Sequence, residues 1–248
     1  MFKKIFLISV LLFFTNNVCA QTPVQTFKTA NEAYLARDFQ KAETLYQELE
    51  KQGILSGGLF FNLGNTFYRQ GKVGEAIYYY EKALRLSPRD RDLSANYNYI
   101  RERLIDKIEE PLLNKILSYA FFWNALLSLK EGLFFTLGAY ALLFALLISR
   151  LYFKSRMQFL CLLFLVFVNL LSLSSFSLKL IEEKLLRYGV LFASNQGVFS
   201  EPTEQSVRLF ELHEGAKIKI SEEQNGFYKV QWVDGKKGWM KKETIGNI

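Results

Sequence analysis

The apolar residues of this 248-residue chain are concentrated in separate runs rather than spread at one helical or strand period. One run lies within residues 1–20, and two longer runs, 132–149 and 159–178, contain no charged residue. A helix needs about 20 apolar residues to cross a membrane, so the two longer runs predict transmembrane helices. From Tyr188 onward, short apolar stretches alternate with polar residues, a pattern typical of β-strands.

The first apolar run has the features of a secretory signal peptide covering residues 1–20. Lys3 and Lys4 precede the apolar stretch Ile5–Phe14, and a small-residue cleavage site ends at Ala20. The apolar stretch spans only about half of a bilayer, which argues against an uncleaved anchor. Cleavage would leave Cys161 as the only cysteine, which excludes a disulfide framework or a cysteine-based metal site.

Charges around the two predicted spans indicate their orientation. The loop between them contains Arg150, Lys154 and Arg156 and no acidic residue, whereas the outer flanks mix both signs. Lys and Arg are enriched in cytoplasmic loops, so this loop is predicted to be cytoplasmic and both soluble parts extracytoplasmic, in agreement with the signal peptide. The aromatic-rich residues 111–130 predict a helix at the membrane interface; a third span there would reverse the orientation.

Residues 21–110 contain an internal repeat with a period of 34 residues. Small and aromatic positions recur one period apart: Ala30, Ala42 and Tyr46 correspond to Gly64, Ala76 and Tyr80. This period resembles the tetratricopeptide repeat (TPR), a helix–turn–helix unit in which small residues let helices approach closely. The resemblance implies an all-α domain of two repeats, at 23–56 and 57–90, with a capping helix after Pro88.

In the TPR family, the concave side of the first helix of each repeat binds extended peptides. The resemblance assigns six residues to such a groove: Asn31 and Tyr34 in the first repeat, and Phe61, Asn65, Tyr68 and Arg69 in the second. The two asparagines match those of carboxylate-clamp repeats, in which amide side chains hold a peptide. Phe27 and Asp92 depart from the clamp pattern, because they stand where the clamp has basic residues.

Residues 186–248 predict strands at 189–194, 216–221, 227–233 and 237–242, with hairpin turns at Asn225-Gly226 and Asp234-Gly235. The segment containing Gly215, Phe227-Tyr228 and Gly238-Trp239 resembles bacterial SH3 (SH3b) domains, which implies a small all-β barrel. Such domains bind cell-wall peptides or other proteins. Tyr228 and Trp239 are interpreted as barrel core, and His213, the single histidine, as a solvated residue of a charged turn.

The net charge of +7 does not indicate nucleic-acid binding, because of where the charges lie. Residues 21–110 carry 13 basic and 13 acidic side chains, residues 186–248 carry a charge of +1, and the excess flanks the apolar runs. The soluble parts show no nucleophile–base pair and no set of metal ligands. We therefore expect a non-enzymatic protein with no cofactor, no catalytic residue and no metal.

The order of the modules resembles the BatE proteins of the Bacteroides-aerotolerance (Bat) operons, as does the segment ANYNYIRERLIDKIEEP at 95–111. The resemblance implies a multidomain membrane protein with a signal peptide (1–20), TPR domain (21–110), interfacial helix (111–130), two transmembrane helices (131–180) and SH3-like barrel (186–248).

The same resemblance implies a bacterial inner-membrane scaffold with both soluble domains in the periplasm. Its partners would be von Willebrand A-domain Bat membrane proteins in an envelope complex linked to aerotolerance or stress resistance. The alternative is a cell-wall sensor whose SH3-like domain binds peptidoglycan.

Overall fold

The computed structural model describes residues 22–106, 116–117 and 119–248, so the predicted signal peptide lies outside the described residues. The chain divides after Ile54 into two compact units. The first unit contains helices α1 (Pro23–Leu35) and α2 (Phe39–Lys51). Each helix begins at a side-chain cap, because Thr22 accepts a hydrogen bond from the Gln25 backbone and Asp38 from the Lys41 backbone. Their shared core consists of Ala30, Ala33, Ala42, Tyr46 and Leu49.

The second unit begins with three helices, α3 (Gly57–Arg69), α4 (Val73–Leu86) and α5 (Arg91–Arg101). Gly64 lets α3 and α4 approach closely, because a Cβ atom there would lie 2.5 Å from the Tyr80 ring. The sequence predicted this helical pair and the helix after Pro88. Leu93 and Ile100 of α5 are buried.

Two further helices, α6 (Leu129–Tyr152) and α7 (Arg156–Leu180), pack side by side, and α7 continues as a π-helical turn at Ile181–Leu185. The side-chain amide of Asn169 joins them by donating a hydrogen bond to the Ala139 carbonyl (3.1 Å). Both helices are long and apolar enough to cross a membrane. Most of their side chains are exposed, unlike those of a core helix in a soluble protein.

A 3₁₀ helix at Phe122–Ala125 lies shortly before α6 in the chain, and side-chain hydrogen bonds connect it to α7. The Trp123 indole donates to the Ser175 hydroxyl (2.7 Å), which in turn donates to the Asn124 side chain (2.6 Å). The interfacial helix expected at 111–130 falls partly outside the described residues, and its place at a membrane surface stays a prediction.

The C-terminal part is a seven-stranded antiparallel sheet with strand order β3-β2-β6-β5-β4-β1-β7. Its strands are β1 (Arg187–Leu191), β2 (Asn195–Phe199), β3 (Arg208–His213), β4 (Lys217–Gln224), β5 (Phe227–Gln231), β6 (Lys237–Lys241) and β7 (Ile245–Asn247). The four strands expected from the sequence correspond to β1, β4, β5 and β6. Pairing of the strands leaves β3 and β7 as open edges, so closure into a barrel is not confirmed.

The turn between β4 and β5 has the geometry that its sequence predicts. Asn225 and Gly226 both have positive φ, 51° and 78°, as a type I′ hairpin turn requires. Tyr228 and Trp239 are buried, which confirms their interpretation as core. The core cluster around Tyr228 contains Met240 and these aliphatic residues: Leu191, Val198, Leu212, Ala216, Ile218, Ile220, Val230 and Ile245.

Candidate protein-binding surface

The four groove residues predicted in the second repeat, Phe61, Asn65, Tyr68 and Arg69, lie on α3. Among them, Asn65 makes side-chain hydrogen bonds to two neighbouring helices. Its Oδ1 atom accepts one from the Tyr80 hydroxyl (2.7 Å) and one from the Asn96 amide (2.9 Å). Asn65 thereby connects α3 to α4 and α5. Arg69 is exposed in the last turn of α3.

The hydrogen-bonding capacity of Asn65 is only half used by the fold. Its carbonyl oxygen is satisfied by two donors, whereas its amide nitrogen donates no hydrogen bond within the described part of the chain. A side-chain amide carries two N–H donors, and a backbone carbonyl of an extended peptide is a matching acceptor. Asn65 is therefore oriented by the protein and retains donors for a ligand.

Aromatic side chains lie on both sides of Asn65. The Phe61 ring is 6.0 Å from the Tyr80 ring, and the Tyr68 ring meets the Tyr99 ring of α5 edge to face at 6.4 Å. Tyr99 is exposed, and the Arg103 guanidinium lies 3.5 Å from its ring centre. Tyrosine and arginine are enriched in protein interfaces because they combine apolar area with hydrogen-bonding groups. We refer to Phe61, Asn65, Tyr68, Asn96 and Tyr99 as the α3–α5 surface.

The two residues predicted in the first repeat lie on α1. Asn31 Oδ1 accepts a hydrogen bond from the Tyr46 hydroxyl (2.6 Å), and the Tyr34 ring meets the Phe39 ring edge to face at 5.5 Å. The Tyr46–Asn31 bond reproduces the Tyr80–Asn65 bond one period earlier, over the same 15-residue separation. The asparagines predicted as ligand contacts therefore also hold together the helices of each repeat.

The sequence did not predict that α4 and the segment after α5 dock against the β-sheet. Glu81 of α4 is buried and accepts hydrogen bonds from the Lys217 ammonium of β4 (2.8 Å) and the Tyr97 hydroxyl of α5 (2.5 Å). Burial disfavours the ionised carboxyl, but the Lys217 charge and both hydrogen bonds outweigh it and hold the pKa of Glu81 below its ordinary value. This partly buried ion pair links residues 136 positions apart.

Close backbone packing accompanies the ion pair. A Cβ atom on Gly74, in the first turn of α4, would lie 2.5 Å from the Leu191 carbonyl oxygen of β1. The Tyr78 ring of α4 meets the Phe192 ring edge to face at 5.5 Å. Only glycine fits at position 74 in this arrangement.

The interpretation of His213 as a solvated residue is wrong. Its backbone N–H donates to Asp106 Oδ2 (2.5 Å), and its ring Nδ1 lies 3.3 Å from Asp106 Oδ1. The side chain is partly buried because it lies in the contact between the segment after α5 and the sheet. Nearby, Gly215 adjoins the buried side chain of Leu104.

Comparisons with known protein families agree with these two modules. Residues 59–90 match the tetratricopeptide repeat, and residues 197–246 match the bacterial SH3 domain. No curated protein matches the chain. The helical region therefore includes a match to the tetratricopeptide repeat and the sheet a match to the bacterial SH3 domain, and both kinds of module suggest protein binding.

Proposed function

We propose that the protein is a non-enzymatic membrane scaffold whose α3–α5 surface binds an extended segment of a partner protein. The observation that carries this proposal is the geometry of Asn65, whose carbonyl oxygen is fixed by Tyr80 and Asn96 while its amide donors remain available. The exposed Tyr99 beside it supplies apolar contact area. Arg69 belongs to the same proposed site, and Asn31 and Tyr34 form its counterpart in the first repeat.

We also propose that α6 and α7 cross the bacterial inner membrane and that both soluble parts are periplasmic. Docking of α4 and of the segment after α5 on the sheet supports this arrangement, because it requires the parts before and after the hairpin to lie on one side. An even number of crossings satisfies that requirement, whereas a third span at 111–130 would separate the two parts. The cations between the helices favour a cytoplasmic turn.

The partner we propose follows from the order of the modules, which resembles that of BatE proteins. It is a von Willebrand A-domain membrane protein of the Bat type, in an envelope complex linked to aerotolerance or stress resistance. The matches to a tetratricopeptide repeat and a bacterial SH3 domain support the adaptor role in general terms.

Asn65→Asp is the sharpest test of the proposed surface. Aspartate keeps the oxygen that accepts from Tyr80 and Asn96 but replaces the amide donors with a second acceptor. A lost hydrogen bond of about 1 kcal/mol corresponds to roughly a fivefold loss of affinity, and repulsion of a partner carbonyl adds to it. Asn65→Ala is less informative, because it also removes the oxygen that accepts the hydrogen bond of the Tyr80 hydroxyl.

The measurement is recovery of crosslinked partners with the tagged full-length protein, identified by mass spectrometry. Asn98→Asp is the matched control, since it makes the same chemical change at an exposed position of α5. We expect partner recovery to fall in Asn65→Asp and to persist in Asn98→Asp. Equal recovery with both variants would contradict the assignment of the α3–α5 surface.

The bacterial SH3 match favours a second function, cell-wall sensing through peptidoglycan. Co-sedimentation of the detergent-solubilised full-length protein with purified peptidoglycan tests it. Failure of the protein to sediment counts against the sensor and leaves the scaffold as the proposal.

A further inference from the structure

The turn between α6 and α7 gathers three cationic side chains around one open cavity. The cavity has a volume of about 630 Å³ and is lined by Arg150, Lys154, Ser155, Arg156 and Phe159. No acidic side chain contributes to this lining. The cavity therefore has a positive electrostatic potential.

The positive charge at this turn has no counter-charge within the described residues, where none of its three cations forms an ion pair. The Arg150 guanidinium lies 5.0 Å from the Phe159 ring, and its Nη1 atom is buried without a hydrogen-bond partner. A buried donor without an acceptor costs free energy of about 1–3 kcal/mol. The three cations that line the cavity favour a negatively charged acceptor there.

The N-terminus of α7 faces the same turn and adds to the positive potential. Ser155 caps this 25-residue helix by accepting a hydrogen bond from the Gln158 backbone (3.1 Å). Backbone N–H groups in the first turn of a helix point outward and, together with the helix dipole, favour phosphate and carboxylate groups. The helix end strengthens a site that the three cations already define.

We propose that this cavity binds the phosphate group of an anionic phospholipid. The apolar surroundings favour a lipid over free phosphate, because Tyr152, Phe153 and Met157 are exposed beside the cations, with 79%, 67% and 70% of their surface accessible. Such side chains contact acyl chains while the guanidinium groups hold the headgroup. The site goes beyond the scaffold function and requires only that α6 and α7 lie in a membrane.

The test uses the full-length protein in detergent, with native mass spectrometry to measure retained lipid. Phosphatidylglycerol is the anionic probe, phosphatidylcholine the zwitterionic comparison and inorganic phosphate the soluble one. We expect phosphatidylglycerol to be retained at least about tenfold better than phosphatidylcholine, and Arg150→Gln with Arg156→Gln to remove the difference. Lys184→Gln removes one charge beyond the other end of α7, and this variant should still retain phosphatidylglycerol better than phosphatidylcholine.

Three outcomes would overturn the proposal: equal retention of the two lipids, equal loss in Lys184→Gln, or inorganic phosphate that binds as tightly as phosphatidylglycerol. The last outcome would indicate a site for free phosphate. If the double variant does not fold, the exposed Lys154 provides a second test. Lys154→Gln should weaken phosphatidylglycerol retention by roughly fivefold, the effect of about 1 kcal/mol per cation near an anionic lipid. The lipid-retention results are independent of whether the α3–α5 surface binds a partner protein through Asn65.

Discussion

Replacing Lys217 with methionine tests whether the partly buried ion pair holds the helical and β-sheet parts together. The substitution keeps most of the apolar volume of the side chain but removes the charge that faces Glu81 at 2.8 Å. Glu81 then keeps the hydrogen bond from Tyr97 and the weaker favourable influence of the Arg85 charge. An ionised carboxyl left in that environment disfavours the docked state.

The size of the effect follows from the exposure of the two side chains. Removing one partner of a fully buried pair costs about 3–5 kcal/mol. The Glu81 side chain is 10% exposed but that of Lys217 is 28% exposed, so water reaches part of the pair. We therefore expect about 2 kcal/mol, which corresponds to a roughly 30-fold increase in the equilibrium constant for separation of α4 from the sheet.

Hydrogen exchange of the full-length protein measures this separation, because it reports local opening without global unfolding. Amides of α4 and β1 should exchange roughly 30-fold faster in Lys217→Met than in the wild type. Adding Glu81→Gln should restore much of the protection, since no uncompensated charge remains.

Lys229→Met is the matched control for this experiment, because Lys229 pairs with Glu222 on the surface of the sheet. Surface pairs contribute only about 0–1 kcal/mol, so exchange in α4 should not change. Unchanged exchange in Lys217→Met, or no recovery in the double variant, would refute the role assigned to the ion pair.

Two further predictions concern the same contact. Gly74→Ala should weaken docking by about 1–3 kcal/mol, because the new Cβ atom would meet the backbone of β1. Gly58→Ala is the comparison: no atom lies within 4 Å of the new Cβ atom, so this substitution should stabilise α3 by about 0.5–1 kcal/mol. Thermal unfolding in detergent compares the two variants. Acidification should weaken docking as the pH falls below about 4.5 and through the lowered pKa of Glu81, because that carboxylate is stabilised only in the folded protein. Hydrogen exchange measured as a function of pH tests this prediction. A pH dependence in Glu81→Gln as steep as that of the wild type would argue against it.

The helical repeat could be predicted from the sequence because its packing depends on local spacing. Gly64 and Tyr80 belong to neighbouring helices joined by a short turn, so the 34-residue period already implies that they meet. The apolar runs likewise predicted α6 and α7, because length and hydrophobicity alone define a candidate span.

The contact between the helices and the sheet could not be predicted in this way. It pairs Glu81 with Lys217, and neither residue has a sequence context that distinguishes it from a solvated surface charge. Gly74 was the available signal, since a glycine near the start of a helix is costly unless another backbone approaches it. Strands β2, β3 and β7 also escaped prediction, because their polar residues obscure the period of two.

The resemblance to TPR domains suggested the residues of the candidate surface but not the hydrogen bonds between their side chains. The resemblance to TPR domains pointed to Asn65 and Tyr68, and the structure places both on the α3–α5 surface. The bonds of Asn65 to Tyr80 and Asn96 depend on side-chain geometry, which no sequence pattern specifies. The assignment of the surface to a partner stays a prediction.

Docking across 136 residues also fixes an order of events during synthesis. At about 5–20 residues per second, Lys217 emerges roughly 7 to 27 s after Glu81, so α4 must wait with its contact face uncovered. If α6 and α7 cross the membrane as proposed, both must enter the bilayer within that interval and return the chain to the side from which it left. A chain that inserted only one of them would leave the sheet on the opposite side of the membrane, where the ion pair could not form. Under that proposal, the contact between α4 and the sheet would form only in a chain whose two helices had both been inserted.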